Sequence, residues 1–315
     1  MQAGSPKPSH VFREVAANRP IRLDNVRCVY CNKELSADTI TEEHVIGRRF
    51  VPKGKLENRW NLIVNACQPC NTRKSDLEDD ISAITLQPDP SGRHAHNDAN
   101  AVSDGRRKAN RSISRRTKKT VAHSQETLSI TMPIAPGASF TFTFTTSPQL
   151  DQRRAFELAW MQLVAFFYWI TFDAETKRGG YWLDTFFPIM FVNRADWGNQ
   201  VMKAFADSVA DWEPRVCGLT ADGFFKVLIK RHPNAACWSW ALEWNQMTRL
   251  VGFFGDKEAT RAIVGTFPKL KKELVAAKGN DTIHYREEIQ LDEVDDRLFY
   301  YDDKWQPSMG EQATP

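Results

Sequence analysis

Two Cys-x-x-Cys pairs, Cys28–Cys31 and Cys67–Cys70, constrain this chain more than any other feature. A two-residue gap lets both thiolates of a pair reach one tetrahedral ion. Two such pairs complete a four-thiolate set with no open position, the arrangement of structural Zn2+. The ion replaces part of the hydrophobic core that a module of about 65 residues can barely supply. The N-terminal run MQAGSPKPSHVFREV has no apolar stretch of the kind that directs secretion. A cytoplasmic protein with metal-ligating rather than disulfide-bonded cysteines is therefore expected. The 35 residues between Cys31 and Cys67 exceed an ordinary ribbon gap, so a structured insertion lies between the two knuckles. Cys217 and Cys237 stand alone and read as core residues.

The insertion contains Thr41-Glu42-Glu43-His44-Val45-Ile46 and Asn61-Leu62-Ile63-Val64, and the second knuckle ends in Cys70-Asn71-x-x-Lys74. An acid beside a histidine is unremarkable alone. In this combination the stretch resembles the HNH endonucleases (the ββα-metal or His-Me finger group), in the subset braced by two Cys-x-x-Cys knuckles. The resemblance spans roughly residues 26–86 and implies two antiparallel strands and a helix around one divalent cation. It makes His44 the general base, Glu43 and Asn71 ligands of a catalytic Mg2+ or Mn2+, and Asn61 the residue that holds the loop and orients the histidine. Asn58 and Asn65 compete for that last place; Asn61 is preferred because Leu62-Ile63-Val64 follows it as a strand would. Two departures from the family pattern stand out: Glu43 where Asp is commoner, and Gly47-Arg48-Arg49-Phe50 where Pro commonly follows. The chemistry agrees with the assignment, since imidazole takes a proton from water near neutral pH and a hard cation prefers oxygen ligands.

Charge is uneven along the chain. The net +3 divides into 22 Lys/Arg against 15 Asp/Glu over residues 1–150, and 20 against 24 over residues 151–315, so the first part is the better match to a polyanion such as DNA. Within it, Arg48, Arg49, Arg73 and Lys74 are candidate phosphate contacts, Arg73 and Lys74 reading equally as an exposed basic helix face. Residues 105–120 carry eight Lys/Arg and no acid, including Arg106, Arg107, Lys108, Arg115 and Arg116. That run reads as sequence-independent phosphate contact rather than a solvated tail or an import signal, because the nuclease-like module sits next to it. Residues 1–20 read as a flexible lead, 21–88 as the nuclease-like module, 89–125 as a basic linker with too few apolar side chains to fold alone, and 126–315 as a second domain.

The second domain is expected to be α+β with a mainly antiparallel sheet. Strict Phe/Thr alternation in SFTFTFTT marks a half-buried strand paired with ETLSITM, and Leu158–Phe172 is too short and interrupted to span a membrane, so it reads as a buried core helix. YWLDTFFPIMFV suits an edge strand or bulge at Pro188, FFKVLIKRH pairs with CWSWALEWNQMTRLVGFF, and helices are expected near residues 200–212 and 256–276, with a strand at TIHYREEIQL. Nine of ten tryptophans follow residue 150, which suits either an aromatic core or a pocket that stacks a base or nucleotide. By analogy, a nuclease module joined to an unrelated domain suggests a bacterial defence or restriction effector whose second domain takes an activating ligand or partner protein. One active centre cuts one strand, so double-strand breaks require a homodimer or two independent events. Cleavage of RNA, or zinc-dependent nucleic-acid binding without catalysis, are the alternatives.

Overall fold

The computed structural model describes residues 13, 15, 18–89, 92–181, 185–278 and 281–300; most of the expected N-terminal lead lies outside them. The first strands are β1 (Ile21–Arg22), β2 (Ile40–His44) and β3 (Leu62–Cys67), in the spatial order β1-β3-β2. β2 runs antiparallel to β3, with His44 opposite Ile63 and Glu43 opposite Val64. β1 joins the other edge in parallel. The chain passes directly from Cys67, the N-cap, into α1 (Gln68–Thr85). Pro69 suits the first turn, where backbone N–H groups have no helical partner to lose. Leu77, Ile81 and Ile84 form the buried stripe of α1 that their spacing predicts.

The stretch expected to be a linker carries α2 (Ala99–Arg111) instead, capped by Asp98, whose carboxylate accepts from the N–H groups of Asn100 and Ala101. α2 packs on α1 through Ala101, Gly105 and Ala109, one small residue per turn. The approach is close: a Cβ on Gly105 would lie 3.0 Å from the Leu86 carbonyl oxygen. A helix seated by Ala and Gly needs no large apolar side chains, so its composition looks like that of a loop.

After the hairpin of β4 (Thr127–Ala135) and β5 (Ala138–Thr145) comes α3 (Gln152–Ile170), buried over most of its surface, as its nearly continuous apolar sequence predicts. Among the described residues no helix is long and apolar enough to cross a membrane. The remaining elements are β6 (Phe186–Asn193), α4 (Gln200–Ser208), β7 (Glu213–Thr220), β8 (Phe225–Arg231), β9 (Cys237–Trp244), β10 (Thr248–Gly255), α5 (Lys257–Val264), β11 (Glu273–Lys278) and β12 (Asp281–Tyr285). β6 to β10 build a five-stranded antiparallel sheet in the order β6-β10-β9-β8-β7. The protein is thus α+β with a mainly antiparallel sheet.

Two further expectations are corrected. CWSWALEWNQMTRLVGFF is not one strand but the hairpin β9–β10, turned at Asn245 and Gln246, both of which take the left-handed backbone region (φ 52° and 58°) that reverses a twisted ribbon tightly. The helix expected over 256–276 stops at Val264, and residues 273–278 form β11. β7 was not foreseen at all. Pro188 does sit on the edge strand β6, opposite the bulge at Val251/Gly252.

The modules 21–88 and 126–315 share one core, and the second has a further cluster of its own around Phe205, Trp212 and Phe253. One apolar cluster runs from Val45, Phe50, Leu62 and Ile81 through α3 to Val227, Trp240 and Leu250 on one face of the sheet. Trp60 is the wedge between the two parts. Its ring meets Phe166 edge-on at 6.3 Å, its Nε1–H donates to the Leu219 carbonyl at 2.7 Å, and its indole fills the space beside Gly218. The β9 tryptophans belong to this core as well: Trp240 stacks on Phe186 and Trp244 donates to Gln162. They are buried packing residues, not the lining of a base-stacking pocket.

Candidate active site and metal centre

A tight turn brings Cys28 and Cys31 together: Asn32, at φ 58°, donates its N–H to the Cys28 carbonyl. Cys67 ends β3 and Cys70 lies in the first turn of α1, where the helix dipole favours negative charge. The four sulfurs lie within 4.8 Å of one another, and Cys31 Sγ is 3.7 Å from Cys67 Sγ. Zinc–sulfur bonds of about 2.3 Å at tetrahedral angles require sulfurs about 3.8 Å apart, so the set fits a single ion of that kind. Burial pushes the Cys28 thiol up to about 11 and raises Cys70 as well. Holding all four as thiolates therefore needs a cation at their centre.

β2 turns its side chains alternately to two faces. Glu42 and His44 point outward, Glu42 pairing with Arg22; Glu43 points inward and is 6% exposed. Its Oε1 lies 2.7 Å from Lys74 Nζ, and the Tyr30 hydroxyl stands 3.5 Å away. Lys74, 1% exposed, also reaches Glu78 Oε1 at 2.6 Å and donates to the His44 carbonyl at 2.9 Å. Burial works against its charge, but Glu78 and Glu43 outweigh that and hold the ammonium above the ordinary lysine value. Lys74 is thus an internal brace under the histidine, and its expected phosphate contact is corrected. Glu78 in turn accepts the Gly47 N–H at 3.1 Å, a bond proline could not make, and leaves no room for a side chain at residue 47. This explains why the chain has glycine there.

His44 is half-buried, and burial together with the Arg48 guanidinium lowers its pKa below the usual imidazole value. Arg48 Nε is 3.1 Å from His44 Nε2. Arginine only donates, so Nε2 carries the lone pair and the neutral ring holds its proton on Nδ1. Asn61 clamps the loop beyond: its Oδ1 accepts the Ile46 N–H and its Nδ2 donates to the Ile46 carbonyl at 2.7 Å. The competitor Asn65 is engaged with Asn25, and Asn58 is exposed. Asn71 donates through Nδ2 to Thr41 Oγ1 and the Glu42 carbonyl.

His44 and Asn61 open onto a cleft of about 910 Å3 between the β2–β3 loop and α2; neither Glu43 nor Asn71 lines it. Eight Lys/Arg face four Asp/Glu across its walls, so it attracts anions. The predicted basic residues divide sharply. Arg48 and Arg49 line the cleft. Arg106 is exposed on α2 outside it. Arg107 lines it but pairs with Asp104. Lys108 turns inward, donating to the Arg49 and Val51 carbonyls and to Ser82 Oγ. Arg73 pairs with Glu157, Arg115 with Asp76 and Asp79, and Arg116 with Glu126, all outside the cleft and at or near the surface. Arg22, Lys53, Arg59 and Arg111 join the cleft unforeseen. Arg111 belongs to the basic run 105–120, but no local pattern marks the other three, whereas Glu78 was findable as the i+4 partner of Lys74. Comparison of the chain with family models, curated proteins and solved structures returns no match.

Proposed function

We propose that this protein is a metal-dependent endonuclease that hydrolyses phosphodiester bonds in DNA, with Zn2+ at the four cysteines. The observation that carries the proposal is His44: a neutral imidazole, its following loop clamped by Asn61, opening onto a cleft lined by an excess of cations. The motif resemblance adds the reaction class.

Arg48 engages the His44 lone pair in the free protein, and an incoming phosphate draws that guanidinium to itself. Nε2 then faces a water, takes its proton, and the resulting hydroxide oxygen forms the new bond to phosphorus as the bond to the 3′-oxygen breaks. Lys74 keeps the His44 backbone in place through its carbonyl, and Asn61 does the same from Ile46. The resemblance implies Glu43 and Asn71 as the oxygen donors for Mg2+ or Mn2+, but here Glu43 is buried against Lys74, Asn71 bonds Thr41, and neither lines the cleft, so the pair does not fit a cation on the phosphate beside His44.

The test is cleavage of plasmid DNA and of RNA by purified protein with Mg2+ or Mn2+. His44→Ala should lower the rate by about 10^2- to 10^4-fold, the range for a lost general base, with zinc content unchanged. Undiminished cutting by the variant, or loss of its zinc, overturns the role of His44. Binding without cutting in the wild type would make the protein a zinc-braced binding module, and RNA-only cleavage would change the substrate.

A further inference from the structure

Most cations around the cleft already have partners: Arg22 pairs with Glu42, Arg59 with Asp222, Arg107 with Asp104. Arg49, Lys53 and Arg111 are different. All three are exposed, line the cleft, and have no acidic partner among the described residues. They reach it from opposite walls, Arg49 and Lys53 from the β2–β3 loop and Arg111 from the last turn of α2.

The loop is fixed from beneath by its backbone. Ser82 Oγ and Lys108 Nζ bond the Arg49 carbonyl, Lys108 also bonds that of Val51, and Asp104 Oδ2 accepts the Lys53 N–H at 3.0 Å. Asp104 and Lys108 are both on α2, so the helix that provides Arg111 also sets the loop that provides Arg49 and Lys53. The two walls are one preorganised unit, held by bonds that leave the three cationic heads free.

We infer that Arg49, Lys53 and Arg111 form a phosphate track that holds one sugar–phosphate backbone along the cleft, with α2 as its second wall. The strand in the track is the one presented to His44. That last clause rests on the nuclease proposal, whereas the binding itself does not. Each phosphate contact releases condensed counterions, so each lost cation flattens the salt dependence of binding. A track loses the same number of contacts with either DNA form, because it contacts the backbone and not the bases.

The experiment measures binding of fluorescent single-stranded and duplex DNA by full-length protein over a salt series, without added Mg2+ or Mn2+. Lys53→Gln/Arg111→Gln should reduce the slope of log K against log salt by about 1.8 for duplex or about 1.4 for a single strand, two contacts at about 0.9 or 0.7 each. Arg106→Gln, exposed on the same helix but outside the cleft, is the control and should change the slope by much less. The form bound more tightly at equal salt is the one held. An unchanged slope in both arms, or an equal change with Arg106→Gln, overturns the track. If the double variant loses slope but wild type never cuts, the track stands and the nuclease proposal falls. If wild type cuts and the slope is unmoved, the reverse holds.

Discussion

Cys67→Ser is expected to release the bound metal and unfold the protein in a single transition. Cys67 is at once the last residue of β3, the N-cap of α1 and a member of the thiol cluster, so its loss loosens strand, helix start and knuckle together. Structural zinc of this kind contributes about 10–16 kcal/mol, comparable to the whole net stability of about 5–15 kcal/mol of an ordinary domain. Because the apolar core runs on from the strands of the cysteine module into α3 and the large sheet, the destabilisation passes directly into the second part of the protein. Metal content by mass spectrometry and thermal unfolding followed by circular dichroism test this. A folded variant that keeps its metal removes the structural role of the site. Two separate melting steps in the wild type contradict the continuous core.

Lys74→Met is expected to cost about 3–5 kcal/mol, the usual effect of removing one member of a buried ion pair. The ammonium lies between Glu43 and Glu78, and without it two carboxylates face each other in a site that excludes water. Burial already raises Glu78 above the ordinary glutamate value in the presence of Lys74. An acid whose folded pKa is raised is tolerated when protonated and penalised when ionised, so the stability deficit of the variant should grow as pH rises from 5 to 8 and shrink on acidification. Urea unfolding at several pH values measures it. Adding Glu43→Gln and Glu78→Gln should recover much of the loss. A deficit below about 1 kcal/mol, or one independent of pH, would mean that the cluster is hydrated and not the buried brace described above.

The parts of the site that could be read from the chain were those whose chemistry is local. Cys-x-x-Cys has few uses, and both pairs do converge on one position. Asn61 was preferred over its neighbours because an apolar strand follows it, and it does clamp the loop after His44. The long apolar run of α3 was equally legible; the Phe/Thr alternation marked the strand pair but not its burial, since Phe140 and Phe142 are exposed. The β9–β10 turn was missed because Asn245-Gln246 lacks glycine, and α2 because its contact face is Ala and Gly.

The sequence by itself determined the ligands of the cluster, the α+β class and the residues of one strand–strand–helix unit, because each depends on neighbours within a few turns of chain. Only the tertiary structure decided which cations are free. Arg73 meets Glu157 across 84 residues, Arg115 meets Asp76 across 39, and Lys108 bonds Arg49 across 59. A positive charge reads the same in sequence whether it faces solvent or a carboxylate, since the partner is brought within reach by packing across distant parts of the chain.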